Sequence, residues 1–243
     1  MSIWLTLRAS FPSAVEAGPK KARFIPNSAQ ISTPICCAWG GIQGEPERPE
    51  DLHRQVTGYA RDVFPDLPLQ FIRLGDLVDP GPASCEVISY LMEFEAQFSP
   101  RPVTLRGNHG QMTIDAAGSG ERYPAGRRSW IMNGRQETLE SYVGQPRPLM
   151  KRRRAWLGSL PTLHEAEAAG QVFVPAGVDP QRFPAFGETV HKWTRRREFP
   201  DPRCWTAPRP KCQRMVYGHT PKQVYLPEFA PDGGKLNTDT CAV

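Results

Sequence analysis

The sequence predicts an α/β (α+β) fold, organised as a single domain over residues 1–243. Short apolar runs alternate with segments whose apolar residues recur every three or four positions, as on one face of a helix. Several of the apolar runs stop at a glycine, and a polar residue follows it. Sheets with crossover helices bind ligands at the carboxyl ends of their strands. The pattern therefore predicts both the fold class and the edge of the sheet where a site would lie.

The strands are predicted from the apolar runs. Residues 1–34 show little periodicity and are expected to be irregular. Pro175 interrupts the fourth run, because proline cannot donate a backbone hydrogen bond to a neighbouring strand. The six runs are PICCAWGG, LQFIRLGD, RPVTLRGNHG, GQVFVPAGV, QRMVYGHTP and GKLNTDTCAV.

Helical spacing is clearest in two segments. The first, PEDLHRQVTGYARDVF, has an apolar face made of Leu52, Val56, Tyr59 and Val63. The second, SCEVISYLMEFEAQF, is also amphipathic, and Ser84 is a candidate N-cap. RQETLESYV and KRRRAWLGSL are predicted to be shorter helices, and residues 164–165 are expected in a further helical region. Four polar side chains are expected at the surface: His53, His164, Glu165 and His191.

Composition and charge narrow the possible partners. The net charge of +5 is mildly basic and compatible with an anionic ligand. The basic clusters at residues 151–154 and 195–197 lack interleaved aromatic residues, so we predict solvated faces and no nucleic-acid partner. The six cysteines form no close CxxC pairs, which predicts reduced thiols in a cytoplasmic protein. No apolar run approaches the ~20 residues of a membrane span, so no membrane association is expected.

Three of the predicted strands end in potential metal ligands. Asp76, Asn108 and His219 each follow a glycine at the end of an apolar run. A carboxylate, an amide oxygen and an imidazole suit a divalent ion such as Mn, Fe or Zn. Taken singly, each residue has a simpler explanation, since Asp and Asn often form turns or caps. Their joint occurrence after successive strands favours a common site.

The same stretches resemble the phosphoprotein phosphatases of the calcineurin-like metallophosphoesterase superfamily. That family carries, in order, Asp-x-His-Gly, Gly-Asp-x-x-Asp-Arg-Gly, Gly-Asn-His-Glu, His-Ala-Gly and Gly-His-Thr. The counterparts here are CAWGGIQG, GDLVDPGP, RGNHG, VFVPAGVDP and YGHTP. WIMNGRQETLESY, LGSLPTLHE, KWTRRREF and NTDTCAV resemble the bacterial serine/threonine protein phosphatase-like branch. The resemblance implies a four-layer αββα sandwich with two mixed β-sheets flanked by helices.

The resemblance also implies roles for individual residues. Asp76, Asn108 and His219 would be metal ligands. His109 corresponds to the general acid that protonates the leaving alcohol, and Asp79 to the carboxylate that orients it. A sixth residue, Arg195, resembles a phosphate-contacting arginine, although residues 195–197 leave the register open. Asp239 resembles a family position near the site and is expected to be structural.

Several family residues are replaced in this chain. Gly41 and Gln43 stand where the first motif has Asp and His, so one of the family's two metal sites is expected to hold no ion. Pro175 replaces the His of His-Ala-Gly, and Pro80 replaces the phosphate-binding Arg. Gly110 replaces the Glu after Asn-His. The site is therefore expected to be degenerate, with at most one divalent metal ion retained.

Two functional hypotheses follow. The first is a metal-dependent phosphoesterase of the serine/threonine protein phosphatase type, which hydrolyses phosphate monoesters with metal-activated water and has weak activity. The second is a catalytically inactive pseudophosphatase that acts as a phosphate- or partner-binding module. Both imply a phosphoprotein or a small phosphate ester as the ligand. The family's chain usually continues past the position of Val243, so a truncated C-terminus is expected.

Overall fold

The structure, a computed structural model, contains two mixed β-sheets. It describes residues 4–6, 34–45, 47–118, 136–179, 181–183, 187–195, 214–220, 228–229 and 234–239. The first sheet has the strand order β1-β2-β3-β4, with β1 antiparallel to β2 and the other pairs parallel. Its strands are β1 (Trp4–Thr6), β2 (Ile35–Trp39), β3 (Leu69–Arg73) and β4 (Val103–Thr104).

The second sheet has the strand order β5-β6-β7-β9-β8. The central pairs are parallel, and the two outer pairs are antiparallel. Its strands are β5 (His164–Ala166), β6 (Gln171–Phe173), β7 (Arg214–Tyr217), β8 (Glu228–Phe229) and β9 (Lys235–Asn237), and a short 3-10 helix at Glu167–Ala169 joins β5 to β6.

Six helices accompany the sheets in the described part of the chain. They are α1 (Glu47–Val63), α2 (Ser84–Gln97), α3 (Asn108–Gly118), α4 (Gln136–Ser141), α5 (Arg147–Ser159) and α6 (Glu188–Trp193). None of the helices among the described residues is long and apolar enough to cross a membrane.

The sheets pack face to face, because side chains alternate between the two faces of each strand. One core lies between the sheets, where Ile72 of β3 belongs to the same cluster as Phe173 of β6 and Val216 of β7. Phe71 faces the opposite way and packs in a second core with residues of α1, α2 and α5. The two mixed sheets flanked by helices confirm the predicted sandwich.

Three local predictions are wrong. Trp4–Thr6, expected to be irregular, forms β1 because the edge of β2 offers it a hydrogen-bonding partner. The run ending in Asn108 is a strand only at Val103–Thr104, and Asn108 begins α3. Ser84 does not cap α2: it is the first residue of that helix, with no side-chain cap hydrogen bond.

The expected surface positions also need correction. His53 and His191 are buried, and residues 164–165 lie in strand β5 instead of a helix. Arg153, inside the basic cluster of α5, is buried as well, because its guanidinium donates to Ser89 Oγ at 2.6 and 2.9 Å. Tyr59 and Val63, assigned to the apolar face of α1, are about half exposed.

His53 lies in a buried polar cluster around Arg73 of β3. Its Nδ1 is 2.7 Å from Tyr90 Oη, and its Nε2 is 3.4 Å from Arg73 Nη2. Since arginine can only donate, Nε2 accepts and Nδ1 carries the proton. The His53 ring also stacks on Phe94, with ring centroids 3.7 Å apart. These contacts require the neutral imidazole.

We predict that His53 makes the stability of the fold depend on pH. Burial, reinforced by the charge of Arg73, lowers the pKa of His53 from 6.5 to about 3. The folded state therefore binds fewer protons than the unfolded chain below pH 6.5, and stability falls as the pH falls. Urea unfolding should show wild type losing about 1.4 kcal/mol per pH unit relative to His53→Phe across this window. Parallel pH profiles for the two chains would contradict the prediction.

Candidate functional site

The candidate site lies where the parallel strands of both sheets end. The loops after β2, β3 and β4 leave the first sheet at one edge, because these three strands are parallel. The loop after β7 leaves the second sheet, and the Gly218 amide donates to the Pro175 carbonyl after β6 at 2.8 Å. These loops and the start of α3 carry five of the six residues predicted for the site, and the sixth, Arg195, follows α6.

The loop after β2 is fixed against the loop after β3. The Gln43 amide donates to the Asp76 carbonyl at 2.9 Å, and the Gly81 amide donates to the Gln43 carbonyl at 2.6 Å. A Cβ at Gly44 would lie 2.5 Å from the Gly81 oxygen, so glycine is required for this close approach. The segment that departs from the family motif is therefore held beside Asp76.

Four non-glycine residues adopt the left-handed backbone conformation in the described part of the chain. Their φ values are 53° at Gln43, 52° at Asp76, 54° at Asp79 and 66° at His219. Such a conformation costs energy for residues with a Cβ, and it persists where the surrounding structure imposes it, most often at functional sites. All four positions belong to the loops of the candidate site.

Asp76 and Asn108 are brought together by Gly107. A Cβ at Gly107 would lie 2.9 Å from both the backbone nitrogen and Oδ1 of Asp76, so only glycine allows this approach. Asn108 follows directly as the first residue of α3 and is buried. Its Oδ1 is buried too and has no hydrogen-bond partner among the described residues. An amide oxygen left in this way is available to a ligand.

Several charged or ionisable side chains surround His219. Arg195 Nε donates to His219 Nε2 at 3.3 Å. Burial lowers the pKa of His219, the carboxylate of Asp76 opposes this, and Arg195 and His109 add to the lowering. The neutral imidazole that results is the form that ligates metals. The structure thus places Asp76, His109 and Arg195 in electrostatic reach of His219.

Asp79 lies opposite His109. Asp79 Oδ2 is 3.9 Å from His109 Nδ1, an ion-pair distance that is longer than a hydrogen bond. In structures without substrate, such contacts are often longer than in the reacting complex. The Asp79 side chain is fully buried, whereas that of His109 is 21% exposed. His109 is therefore the member of the pair that can reach a ligand.

Two hydroxyl groups that the sequence did not assign to the site hold Asp79. Thr138 of α4 donates to Asp79 Oδ1, and Thr138 Oγ1 is 2.7 Å from Ser84 Oγ. The Asp79 amide in turn donates to Ser84 Oγ at 3.3 Å. Each hydroxyl gives one proton and accepts one, so the three residues form a closed ring of hydrogen bonds. Thr138 lies within the family-like WIMNGRQETLESY, but only the fold shows its contact with Asp79.

A cluster of charged side chains that the sequence did not predict connects α6 to the loop before α3. Arg106 Nη2 donates to Glu188 Oε2 at 2.5 Å, and Lys192 Nζ lies 3.6 Å from the same oxygen. Lys192 Nζ also donates to Gln111 Oε1 of α3 at 2.7 Å. These contacts fix the helix that leads to Arg195.

Three positions at which the chain departs from the family pattern carry no ligand side chain. Gly41 offers no side chain, Pro80 is exposed, and Pro175 contributes only its carbonyl to Gly218. Among the described residues, no three His, Cys, Asp or Glu side chains cluster as a metal site would need. The candidate ligand set of Asp76, Asn108 and His219 therefore depends on the amide oxygen of Asn108.

Comparison with known proteins identifies the fold. No protein-family model and no curated protein sequence matches the chain. Among solved structures, a putative diadenosine tetraphosphatase aligns with a TM-score of 0.56 and 18% identity over 86% of this chain and 84% of that one. A protein serine/threonine phosphatase from Saccharomyces cerevisiae aligns with a TM-score of 0.51 and 14% identity over 83% of this chain. The match covers 65% of the yeast chain, slightly under two thirds.

A hypothetical protein from Pyrococcus horikoshii OT3 aligns with a TM-score of 0.52 and 13% identity over 82% of this chain and 74% of that one. At these identities the likeness concerns the arrangement of strands and helices and leaves open the chemistry of the site. The paired mixed sheets and the loops at their carboxyl edge agree with that arrangement. The chain has the calcineurin-like metallophosphoesterase fold.

Proposed function

We propose that this protein is a metal-dependent phosphate monoester hydrolase of the serine/threonine protein phosphatase type, with weak activity. One observation carries the proposal: every non-glycine residue with a left-handed backbone in the described part lies in the candidate site. Three of the four, Asp76, Asp79 and His219, are residues to which the sequence resemblance gives chemical roles. A strained backbone kept at these positions indicates that the site is built to hold them.

The residues present fit one divalent ion. Asp76 offers a carboxylate, His219 a neutral imidazole, and Asn108 a buried amide oxygen with no partner among the described residues. This mixed oxygen and nitrogen set suits Mn, Fe or Zn. When bound, the ion would polarise a phosphoryl oxygen of the substrate. A second ion fits less well, because Gly41 has no side-chain ligand atom and only the buried amide oxygen of Gln43 would be added to Asp76.

His109 would supply the proton for the leaving group. Its Nδ1 faces Asp79 Oδ2, so the proton would pass to the ester oxygen from Nε2. Asp79 would favour the protonated ring, and the hydrogen-bond ring with Thr138 and Ser84 would keep Asp79 in place. This assignment gives His109 the catalytic role and gives Asp79 a positioning role.

Arg195 would contact the phosphate. Its guanidinium lies against His219 at the mouth of the site, where a planar cation can bind phosphate oxygens in pairs. The exposed Pro80 stands where the resemblance expects a second arginine, so the grip on phosphate is weaker than in the family. The loss of one such charged contact typically lowers the turnover rate by a factor of about 10²–10³.

A second candidate function is that of a pseudophosphatase, which binds a phosphoprotein without hydrolysing it. The contact between Arg195 and His219 favours it, because Nε2 of a candidate metal ligand already accepts from a cation. A guanidinium at this position repels a divalent ion and attracts a phosphate group. Binding would then require Arg195 and no metal.

The test is a calorimetric titration of the purified chain with Mn²⁺. We expect one ion per chain, and we expect Asp76→Asn to abolish binding. Asparagine tolerates the left-handed backbone of Asp76, so this variant removes the charge without new strain. Asp66→Asn, in an exposed turn before β3, is the control and should bind as wild type does. Two ions per chain would contradict the single-ion site.

Turnover of p-nitrophenyl phosphate with Mn²⁺ separates the two candidates. The hydrolase is expected to run well below the usual 1–10³ s⁻¹ of enzymes. Both Asp76→Asn and His109→Ala should remove what activity there is. Activity that survives both substitutions would come from another site or a contaminant. Phosphate binding with neither Mn²⁺ binding nor turnover would favour the pseudophosphatase.

A further inference from the structure

Trp193, the last residue of α6, is exposed beside the candidate site. Its side chain is 42% exposed, and its ring centroid lies 6.1 Å from that of His219 with the two planes at 83°. Other large apolar side chains in the described part are exposed too, but they lie on α1, on α5 or in the turn before α5: Tyr59, Val63, Val143 and Met150. Trp193 is thus an exposed aromatic surface in contact with a candidate site residue.

The backbone that carries Trp193 is held firmly. The residues on either side, Lys192 and Thr194, are buried. The His191 carbonyl accepts from the Ala176 amide at 2.7 Å, and His191 Nδ1 is 2.9 Å from Thr162 Oγ1. The exposure of Trp193 therefore does not result from a loose helix end. A tryptophan fixed in this way loses little conformational freedom when a ligand covers it, which makes it an effective binding surface.

The neighbours of Trp193 define what it would bind. Arg195, two residues further along, lies against His219, where we place the phosphate group. Trp193 contacts the same histidine edge to face, so an aromatic group that packs on it must lie close to the phosphorus of the ligand. An aryl phosphate meets this condition, since a single ester oxygen joins the ring to phosphorus. In a nucleotide the sugar would carry the base away from Trp193.

We propose that Trp193 selects phosphate esters of aromatic alcohols, with the ligand's ring packed on the exposed part of the indole. The inference rests on the proposed phosphate site and adds the class of leaving group to it. Aromatic pairs gain from stacked or edge-to-face packing in addition to the burial of apolar area. Aryl phosphates should therefore bind more tightly than alkyl phosphates of similar size.

The test uses phosphonates, which cannot be hydrolysed, and measures binding by calorimetry in the presence of Mn²⁺. We expect the wild-type chain to bind phenylphosphonate about fivefold more tightly than hexylphosphonate, which has the same number of carbon atoms. Trp193→Leu should remove this preference and leave methylphosphonate binding unchanged. Trp193→Phe, which restores a ring, should keep most of it. Tyr59→Leu removes an exposed aromatic side chain on α1 and is the control that should change nothing.

Each outcome has a distinct meaning. If methylphosphonate binds and phenylphosphonate shows no preference, or if the preference survives Trp193→Leu, the inference is wrong and the phosphate site stands. If none of the phosphonates binds to the wild-type chain, the proposed phosphate site is wrong and the inference fails with it. A thermal unfolding curve for Trp193→Leu like that of the wild type excludes misfolding as the cause of a lost preference.

Discussion

A chain that carries Gly41→Asp and Gln43→His is expected to bind two divalent ions instead of one and to hydrolyse p-nitrophenyl phosphate about 10²-fold faster than wild type. The two substitutions restore the ligands that the resemblance assigns to the missing metal site. A second ion held by these side chains would add stabilisation of the charge that develops on the phosphate, which a single ion supplies only in part. Elemental analysis and steady-state turnover measure the two effects independently.

The structure indicates that both side chains would fit. A Cβ at Gly41 would have no atom within 4 Å, and its φ of +74° is one that aspartate tolerates better than most residues. Gln43 already places a side chain on a left-handed backbone, with φ at 53°. The hydrogen bond from its amide to the Asp76 carbonyl keeps this loop beside a proposed ligand. The new imidazole would thus lie on the segment held beside Asp76, and the new carboxylate two residues before it in the same loop.

A matched control separates ligand chemistry from backbone strain. Gly144, in the turn after α4, has φ +76° and would also have no atom within 4 Å of a Cβ. Gly144→Asp therefore carries the same strain away from the site and should leave metal content and turnover unchanged. A doubly substituted chain that folds normally and still binds one ion would contradict the prediction.

The parts of the fold that a local pattern specifies were predictable from the sequence. β2 is buried along its whole length and has no charged residue, and β3 is buried except at the partly exposed Gln70; each lies within its predicted run. Both sheets form as the resemblance implies. β1 was not predictable, since three residues in an irregular segment become a strand only when β2 offers its edge. Strand formation there depends on a partner about thirty residues away in the sequence.

The candidate site could be predicted as a set of residues but not as a geometry. Asp76, Asn108 and His219 follow strand ends, and that position is visible in the sequence. Their roles remain predictions, although the structure brings Asp76 and Arg195 into electrostatic reach of His219. The left-handed backbone at Asp76 and His219 was not visible, because neither residue is a glycine. Arg196 and Arg197, the alternatives to Arg195, lie outside the described residues.

Buried polar residues were the main source of error. Helical spacing treats a polar residue as exposed, yet His53 is buried because Tyr90 and Arg73 satisfy both of its ring nitrogens. Arg153 is buried because Ser89, 64 positions away, accepts from it. A single sequence does not show such distant partners. For the same reason, the sequence does not show that Thr138 donates to Asp79, 59 positions away.

The largest loss of stability is expected for Glu95→Gln, which should lower the free energy of unfolding by about 3–5 kcal/mol. Glu95 of α2 is the carboxylate that faces the fully buried guanidinium of Arg73, with Nη1 and Oε1 3.2 Å apart. Its oxygens also accept from Thr104 of β4 and, at 3.1 Å, from Trp156 of α5. The cluster thus joins β3, β4, α2 and α5, and Glu95 accepts hydrogen bonds from three of these elements.

The physical reason is the charge that would be left behind. Burial lowers the pKa of Arg73 to about 10, and the nearby Glu95 raises it, so the guanidinium stays charged at neutral pH. A glutamine of the same shape keeps an acceptor for Thr104 or Trp156 but provides no negative charge. Removing one partner of a buried ion pair costs far more than the pair itself contributes. Glu93→Gln, an exposed change on the same helix, should alter the free energy of unfolding by less than about 0.5 kcal/mol.

A double substitution distinguishes an unpaired charge from lost packing. Arg73→Met together with Glu95→Leu removes both charges, and most of the stability lost in Glu95→Gln should return. If the double variant is as unstable as the single one, the hydrogen bonds to Thr104 and Trp156 carry the energy instead of the ion pair. Asp76 follows Arg73 by three residues at the end of the same strand, so Mn²⁺ binding by the double variant is informative too. Retained binding would show that the charged cluster stabilises the fold and that the apolar packing of β3 is sufficient to position the site.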